Sequence, residues 1–272
     1  MNLNEINAKG LVLLGCGKMG SAMLRGWLER GLDLKSVTVV DPFPSAWVSE
    51  LAAKGLRLNT DLPPGPAVVL IAVKPQMMGE ALPQVAKLGG TSLIVTVAAG
   101  TMLASYEAAF GPASRIVRAM PNTPAAVGRG ITAIVGNKVA TAADLDLAEM
   151  LLSAVGKVVR LPGEHLMDAV TAVSGSGPAY VFHLIEALAA AGVAEGLPPD
   201  LAMDLARVTV SGSGELAHQA TESAEQLRIN VTSPGGTTAA ALKVLMDAET
   251  GFPNLLRRAV KAAADRGREL GK

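Results

Sequence analysis

The chain has 272 residues, 24 basic and 24 acidic side chains that balance to zero formal charge, and one cysteine, Cys16. This length predicts one large or two ordinary domains, and balanced charge without a basic block argues against a nucleic-acid partner. A single cysteine excludes an internal disulfide or a multi-cysteine metal site, and it suits a reducing compartment such as the cytoplasm. The polar N-terminal sequence lacks the apolar region of a signal peptide, so we expect none.

Half of the residues are hydrophobic, and the most apolar run covers residues 178–194. His183 and Glu186 interrupt this run, and it is shorter than the roughly 20 residues that a bilayer requires. We therefore expect a buried helix in a soluble core or a subunit interface, and no membrane partner.

Short runs rich in β-branched residues predict strands in the first part of the chain. Most of them are apolar without alternation, which is typical of strands covered on both faces of a parallel sheet. Helix-length segments separate them and predict an α/β, Rossmann-type doubly wound sheet. The predicted strands are 11–14, 37–40, 67–73, 92–97, 115–118, 131–135 and 157–161, and the predicted helices are 20–30, 44–54, 77–88, 101–110 and 141–155.

After Pro162 the strand pattern almost disappears, and helices are predicted at 164–173, 177–195, 198–219, 235–249 and 253–270. We therefore expect a dinucleotide-binding domain at 1–162 and an all-helical domain at 163–272. The segments 178–194 and 199–217 are too apolar to be solvated on a broad face, so we expect the helical domain to bury them in another subunit.

A glycine-rich sequence, GCGKMG at residues 15–20, follows the first predicted strand and leads into a helix. Gly15 permits the tight turn, Gly17 lets the backbone approach a pyrophosphate, and Gly20 allows close packing of helix on strand. The acidic residue Asp41 at the end of the second strand completes the order of features that predicts dinucleotide binding.

Asp41 can accept hydrogen bonds from the adenosine ribose diol, which favours NADH, or it can simply start a turn before Pro42. Lys54, Arg57 and Asn59 are near enough in sequence to contact a 2′-phosphate, so the sequence leaves NADH and NADPH both open. The ends of the fourth and fifth strands, at residues 72–75 and 98–100, should border the same cofactor.

Three later segments, 118–124, 174–180 and 232–238, each permit a functional and a structural interpretation. The first is a proline-rich strand exit, and the second opens the long apolar helix, where capping and packing would explain it. In the third, two glycines and two threonines precede a helix, whose unpaired N–H groups could bind a small carboxylate. The alternative for the third segment is a threonine N-cap.

Together these motifs resemble the pyrroline-5-carboxylate reductase family in order and spacing over nearly the whole chain. The resemblance implies a Rossmann domain, a helical domain that pairs with a second subunit, and larger rings of such homodimers. It also implies hydride transfer from NADPH or NADH to the imine 1-pyrroline-5-carboxylate, which gives proline. No metal is expected.

The resemblance further implies the residues of the site. The substrate carboxylate would lie on the backbone N–H groups of Thr237 and Thr238, and the Thr238 hydroxyl, the expected catalytic group, would meet the ring nitrogen. The expected substrate-binding residues are Glu164, Asn230, Ser233, Gly236, Thr237 and Thr238. The expected cofactor-binding residues, which include Asp41 from the motif above, are Gly15, Cys16, Gly17, Lys18, Met19, Gly20, Asp41, Asn59, Ala72, Val73, Lys74, Pro75, Ala98, Ala99, Gly100 and Asn230.

The chain departs from the family at residues 41–44, where DPFP replaces the small polar residues that hold a 2′-phosphate in many relatives. Two other functions stay open on sequence alone. A β-hydroxyacid dehydrogenase would use a lysine of the helical domain, for which Lys243 is the candidate, and a non-catalytic regulatory relative would keep only the nucleotide site. His165, His183 and His218 lie in no catalytic pattern, and we expect structural roles for them.

Overall fold

The computed structural model describes residues 3–271 and contains two compact units. One unit extends to Gly175 and includes the C-terminal segment from Ala264, and the other is Ser176–Ala263. The first unit therefore includes the helical residues 163–175, which the strand pattern groups with the helical domain. The boundary at residue 162 separates the expected cofactor-binding part from the expected substrate-binding part. It stays a prediction, because the compact units describe packing and not these roles.

The first unit is built on one 8-stranded sheet with the strand order β3-β2-β1-β4-β5-β6-β7-β8. The strands are β1 (Leu11–Leu14), β2 (Val37–Val40), β3 (Arg57–Leu58), β4 (Val68–Ile71), β5 (Leu93–Thr96), β6 (Ile116–Met120), β7 (Gly130–Gly136) and β8 (Gly156–Arg160). Strands β1 to β6 pair in parallel, β7 is antiparallel to β6, and β8 is parallel to β7. The predicted doubly wound sheet is confirmed.

The central strands owe their uniform apolar sequences to burial on both faces. Every residue of β1, β4 and β5 is buried, and two hydrophobic clusters cover the two sides of the sheet. Trp27 is buried in one cluster, where its indole N–H donates to the Leu151 carbonyl oxygen at 2.8 Å. Tyr106 is buried in the other cluster. Because water reaches neither face, no polar alternation is required.

The helices cover the sheet and form the second unit. They are α1 (Leu3–Lys9), α2 (Lys18–Glu29), α3 (Ala46–Ala53), α4 (Met78–Val85), α5 (Leu103–Phe110), α6 (Ala142–Leu152), α7 (Met167–Val170), α8 (Gly177–Ala194), α9 (Pro199–Gln219), α10 (Ala224–Asn230), α11 (Thr237–Leu245) and α12 (Phe252–Leu270).

Several elements differ from the sequence prediction. Helices α1 and α10 and strand β3 are not predicted, because seven or two residues are too few to show a periodic pattern. The predicted helix 164–173 is instead a 3₁₀ turn, the short helix α7 and a π-helical segment at Thr171–Gly175. Helix α11 ends before residue 249, because the Asp247 carboxylate accepts the N–H groups of Glu249 and Thr250 and starts a turn.

The second unit exposes large apolar side chains along its helices. Phe182 on α8 is 59% exposed, Val208 on α9 is 70% exposed and Val244 on α11 is 69% exposed, whereas the buried hydrophobic residues of this unit are small alanines such as Ala189 and Ala202. Such surfaces in a folded chain usually mark an interface. The exposure agrees with the expectation that these helices bury their apolar residues in another subunit.

The continuous helical stretch Glu164–Ala194 is 31 residues long, so it is longer than the apolar run considered in the sequence. By length and composition alone it could cross a membrane, and 6% of its apolar window is buried within the chain. The sequence argument that this segment is too short is therefore wrong. A partner subunit and a bilayer remain the two environments that could cover it.

We predict that two exposed residues on α9, Leu205 and Val208, are required for self-association. The native chain should sediment as a dimer at micromolar concentration, and the double variant Leu205→Glu, Val208→Glu should sediment as a monomer, because two charges would be buried at the contact. Lys138→Glu, an exposed site on the first unit, serves as the charge-change control and should stay dimeric. A monomeric native chain, or a dimeric double variant, would contradict the prediction.

Candidate active site

Four strand ends form one edge of the sheet in the first unit. The Gly15 N–H donates to the Val40 carbonyl oxygen at 2.8 Å, and the Ala72 N–H donates to the Leu14 carbonyl oxygen at 2.8 Å. The Val97 N–H likewise donates to the Ile71 oxygen at 3.0 Å. These bonds align the exits of β1, β2, β4 and β5, where the expected cofactor residues lie. Strand order reverses beside β1, which is the place where open α/β sheets bind ligands.

The three motif glycines have three different surroundings. Gly15 has φ +86°, and a Cβ there would lie 2.8 Å from the Val73 Cγ1 atom, so the turn requires glycine. A Cβ on Gly20 would collide with the Gly15 carbonyl oxygen, because α2 packs directly against the turn. A Cβ on Gly17 would meet nothing within 4 Å. Open space at the second glycine and contact at the third are what a bound pyrophosphate requires.

Helix α2 begins at Lys18 with Gly17 as its N-cap and has no side-chain cap. Its first N–H groups therefore lack an acceptor within the helix and can bind an anion. Cys16 beside it is buried, and burial raises the pKa of its thiol, with the Ser21 hydroxyl 3.5 Å from Sγ. Cys16 therefore stays a neutral thiol and supplies no thiolate to the site.

Asp41 connects the end of β2 to the glycine-rich turn. Its Oδ2 accepts the Cys16 N–H at 2.7 Å, and its Oδ1 accepts the Phe43 N–H at 2.8 Å. Asn59, which has φ +52°, binds both backbone polar groups of Asp41. Its Oδ1 accepts the Asp41 N–H at 2.9 Å, and its Nδ2 donates to the Asp41 carbonyl oxygen at 2.8 Å. Asp41 thus does start a turn, and it also holds the glycine-rich loop.

The other two expected cofactor segments follow β4 and β5. Lys74 and Pro75 are exposed, and Lys74 begins a short 3₁₀ turn. Ala98 is buried, and its N–H donates to the Thr96 hydroxyl oxygen at 3.4 Å. Thr96 in turn donates to the Tyr106 hydroxyl at 2.7 Å, which ties the β5 exit to helix α5. The loop that would border the cofactor is therefore anchored to the core.

Glu164 is also anchored, by contacts that the sequence does not reveal. Its Oε1 accepts from the buried Arg118 guanidinium at 2.6 Å and from the Leu103 N–H, at the start of α5, at 2.8 Å. Its side chain is 22% exposed. The carboxylate neutralises Arg118 and caps a helix, and Oε1 is fully occupied by these two bonds.

Asn122 ties two motif segments together within the first unit. Its Nδ2 donates to the Ser174 carbonyl oxygen at 3.2 Å, and its Oδ1 accepts the Ile131 N–H at 2.9 Å. The segment 118–124 therefore contacts the first residue of the segment 174–180. The sequence places Arg118 and Asn122 in a candidate segment but does not reveal their contacts, since their partners are 46 and 52 residues away in sequence.

The second unit contains the glycine-threonine loop. Gly235 has φ +71°, and the Gly236 N–H closes a turn on the Ser233 oxygen at 3.0 Å. Gly236 is the N-cap of α11 and offers no side chain, and Thr237 and Thr238 are the first two helical residues. The threonine N-cap interpretation is therefore wrong, and the first N–H groups of α11 have no acceptor within the helix.

The remaining expected residues divide between the units. Asn230 is the last residue of α10, in the second unit, and its Oδ1 accepts from the Gln226 side chain at 2.7 Å. The second unit thus carries Asn230 and the loop, and the first unit carries Glu164 and the expected cofactor residues other than Asn230.

We predict that Gly17→Val folds and loses NAD(P)H binding, because its side chain would fill the open space that the pyrophosphate needs. Gly20→Ala is the matched variant, and it should lower the midpoint of thermal unfolding, since its Cβ meets backbone. Fluorescence titration with NADH and with NADPH, together with thermal unfolding, measures both effects. Unchanged nucleotide affinity in folded Gly17→Val would contradict this placement of the site.

Comparison with known proteins matches the two parts of the chain to different family models. A family model described as pyrroline-5-carboxylate reductase dimerisation matches residues 164–270, and one described as NADP oxidoreductase, coenzyme F420-dependent, matches residues 10–100. A curated pyrroline-5-carboxylate reductase from Synechocystis is 48% identical over 205 residues, which are 75% of each chain.

Two solved structures of similar proteins extend over almost the whole chain. A pyrroline-5-carboxylate reductase from Coxiella burnetii is 33% identical with a TM-score of 0.88, over 97% of this chain and 99% of that one. The pyrroline carboxylate reductase of Plasmodium falciparum, with NADP bound, is 28% identical with a TM-score of 0.79, over 97% and 98% of the chains. The chain belongs to the pyrroline-5-carboxylate reductase family.

Proposed function

We propose that this chain transfers hydride from NAD(P)H to the imine carbon of 1-pyrroline-5-carboxylate and so makes L-proline, the last step of proline biosynthesis. The observation that carries the proposal is the pair of glycine-capped helix starts, one at the carboxyl edge of a Rossmann sheet and one at Gly236, in a chain of this family. Each offers backbone N–H groups to an anionic part of a reactant, the pyrophosphate or the carboxylate.

The first unit would hold the dinucleotide. The N-terminus of α2 would bind the pyrophosphate, Asp41 and Asn59 would lie at the adenosine side, and the exits of β4 and β5 would flank the rest of the cofactor. The residues around Gly17 fit such a group, because the space beside it is open. The bound cofactor supplies the hydride, so the chain needs mainly to position it.

The second unit would hold the substrate. The carboxylate of the imine would accept the N–H groups of Thr237 and Thr238, and the Thr238 hydroxyl would bond to the ring nitrogen. Ser233, Gly236 and Asn230 would line the same pocket. A protonated imine already carries the proton that the product amine keeps, so hydride addition completes the reaction without an acid residue.

Glu164 is proposed to border the nicotinamide and substrate, with a restricted role. Its Oε1 is taken by Arg118 and the Leu103 N–H, so only Oε2 is available to a reactant. The residue would act chiefly by fixing the start of α5, and through it the β5 exit at Ala98.

We also propose that residues 1–162 serve the cofactor and residues 163–272 serve substrate binding and dimerisation, as the match at 164–270 suggests. Two copies would cover the exposed apolar faces of α8 and α9, and such homodimers could assemble into a ring. The apolar stretch Glu164–Ala194 would then lie in that interface in the cytoplasm, not in a bilayer.

A turnover assay tests the reaction. With 1-pyrroline-5-carboxylate, the enzyme should form one proline for each NADH or NADPH oxidised, as measured by absorbance at the nicotinamide band and by amino-acid analysis. Oxidation of a β-hydroxyacid that is lost in Lys243→Ala would support the dehydrogenase alternative. Nucleotide binding without turnover of either substrate would support the regulatory alternative. Either result would overturn the proposal.

Thr238→Ala separates chemistry from structure. It keeps the backbone donor and removes the hydroxyl, so kcat/KM for the imine should fall by about 1–3 kcal/mol of transition-state stabilisation. Stability should change by less than about 0.5 kcal/mol, since Gly236, not Thr238, is the N-cap.

Two further variants control for this result. Thr238→Ser retains the hydroxyl and should recover most activity, and Thr237→Ala should stay near wild type because only its backbone N–H is assigned a role. Wild-type kcat/KM in Thr238→Ala would remove the hydroxyl from the mechanism.

A further inference from the structure

We propose that Asp41 makes this enzyme select NADH over NADPH. The inference rests on the proposed cofactor site and goes beyond it, because membership of the family leaves the choice of nucleotide open and the solved Plasmodium relative has NADP bound. It is built on the position of the carboxylate, its remaining hydrogen-bonding capacity and the placement of the neighbouring cations.

The carboxylate of Asp41 is held at the place where a Rossmann fold receives the adenosine ribose. It lies directly after β2, and its Oδ2 is fixed 2.7 Å from the Cys16 N–H inside the glycine-rich loop. Asn59 clamps the Asp41 backbone at both its N–H and its carbonyl oxygen, so the residue cannot move aside without breaking two further bonds. An acidic residue in this position accepts the ribose hydroxyls in NAD-dependent members of the fold.

Asp41 retains capacity for that diol. A carboxylate oxygen has two lone pairs, and each oxygen of Asp41 accepts one backbone N–H, from Cys16 at 2.7 Å and from Phe43 at 2.8 Å. One acceptor position therefore stays open on each oxygen, which matches the two hydroxyl donors of a ribose. Both present donors are neutral amides, so the negative charge of Asp41 is not cancelled.

The two basic residues that follow shortly after Asp41 in sequence, Arg57 and Lys54, are directed elsewhere. Arg57 lies at the start of β3, its Nη2 is 3.7 Å from the position of a Cβ on Gly10, and its Nε is buried without a hydrogen bond. Gly10 precedes β1, so this guanidinium is at the opposite, amino-terminal edge of the sheet. Lys54 follows the end of α3, which also returns the chain to that edge.

Two other polar candidates are already engaged. The Asn59 amide is used on the Asp41 backbone, and the Ser45 hydroxyl accepts the Val48 N–H as the N-cap of α3. No ion pair within residues 3–271 includes Asp41. A 2′-phosphate would thus bring roughly two negative charges to a fixed carboxylate that no ion pair neutralises, which is a repulsive element against NADPH.

The test is equilibrium binding, measured without any imine substrate. NADH and NADPH are titrated into the wild-type dimer and the dissociation constants are taken from nicotinamide fluorescence. NADH should bind at least about 10-fold more tightly. Asp41→Asn removes the charge while keeping an acceptor for the Cys16 N–H, and it should reduce this ratio at least about 5-fold, chiefly by tightening NADPH.

Two further variants sharpen the result. Asp41→Ser gives NADPH still more room and should move the ratio further in the same direction. Asp61→Asn removes an exposed carboxylate shortly after β3 and should leave the ratio unchanged, which controls for general charge effects.

Equal or tighter binding of NADPH by the wild type, or an unchanged ratio in Asp41→Asn, would overturn the assignment. If neither nucleotide binds, the cofactor site and the assignment both fall. Binding is measured without substrate. If the ratio of the NADPH and NADH dissociation constants is as predicted but the imine is not reduced, only the proposed reaction is contradicted.

Discussion

Unpaired backbone N–H groups at two glycine-capped helix starts are the feature on which the proposed chemistry depends. The N-caps of helices α3, α6 and α10 are Ser45, Thr141 and Ser223, whose side chains accept a backbone N–H and close the helix end. The N-caps of helices α2 and α11 are Gly17 and Gly236, which have no side chain to do so. A ligand anion can take the place of the missing cap without competing with the protein.

The surroundings of α2 keep that end open and correctly placed. Gly20 lets the helix approach the β1 turn so closely that a single Cβ would meet the Gly15 oxygen, and Gly15 itself needs φ +86°. Asp41 and Asn59 then fix the turn from the side of β2. The same carboxylate that holds the loop in shape is the one proposed to exclude a 2′-phosphate, so loop geometry and cofactor choice depend on one residue.

Much of this arrangement is local in sequence and therefore could be predicted from it. Apolar runs bounded by turn residues locate the seven longer strands, and a strand followed by GCGKMG and a helix locates the nucleotide edge. What could not be predicted depends on distant partners. Glu164 meets Arg118 and Asn122 meets Ser174 across 46 and 52 residues, and no spacing rule connects them. The short elements α1, α10 and β3 are too brief for periodicity, and their formation depends on tertiary packing.

The sequence of the helical part is less specific for a related reason. The mostly apolar sequence of a helix such as α8 shows that the helix must be covered but not by what. The same residues therefore serve arguments for a membrane and arguments for a subunit contact. The predicted boundary at residue 162 marks the end of the strand pattern, whereas residues 163–175 pack with the first unit through contacts such as Asn122 with Ser174.

A crystal structure of the dimer with NAD⁺ and L-proline is the decisive measurement, because it shows both anions at once. The pyrophosphate should lie at the N–H groups of α2 beside Gly17, and the proline carboxylate should lie within hydrogen-bond distance of the backbone nitrogens of Thr237 and Thr238. A carboxylate held instead by a lysine or arginine side chain, or a pyrophosphate away from Gly17, would contradict it.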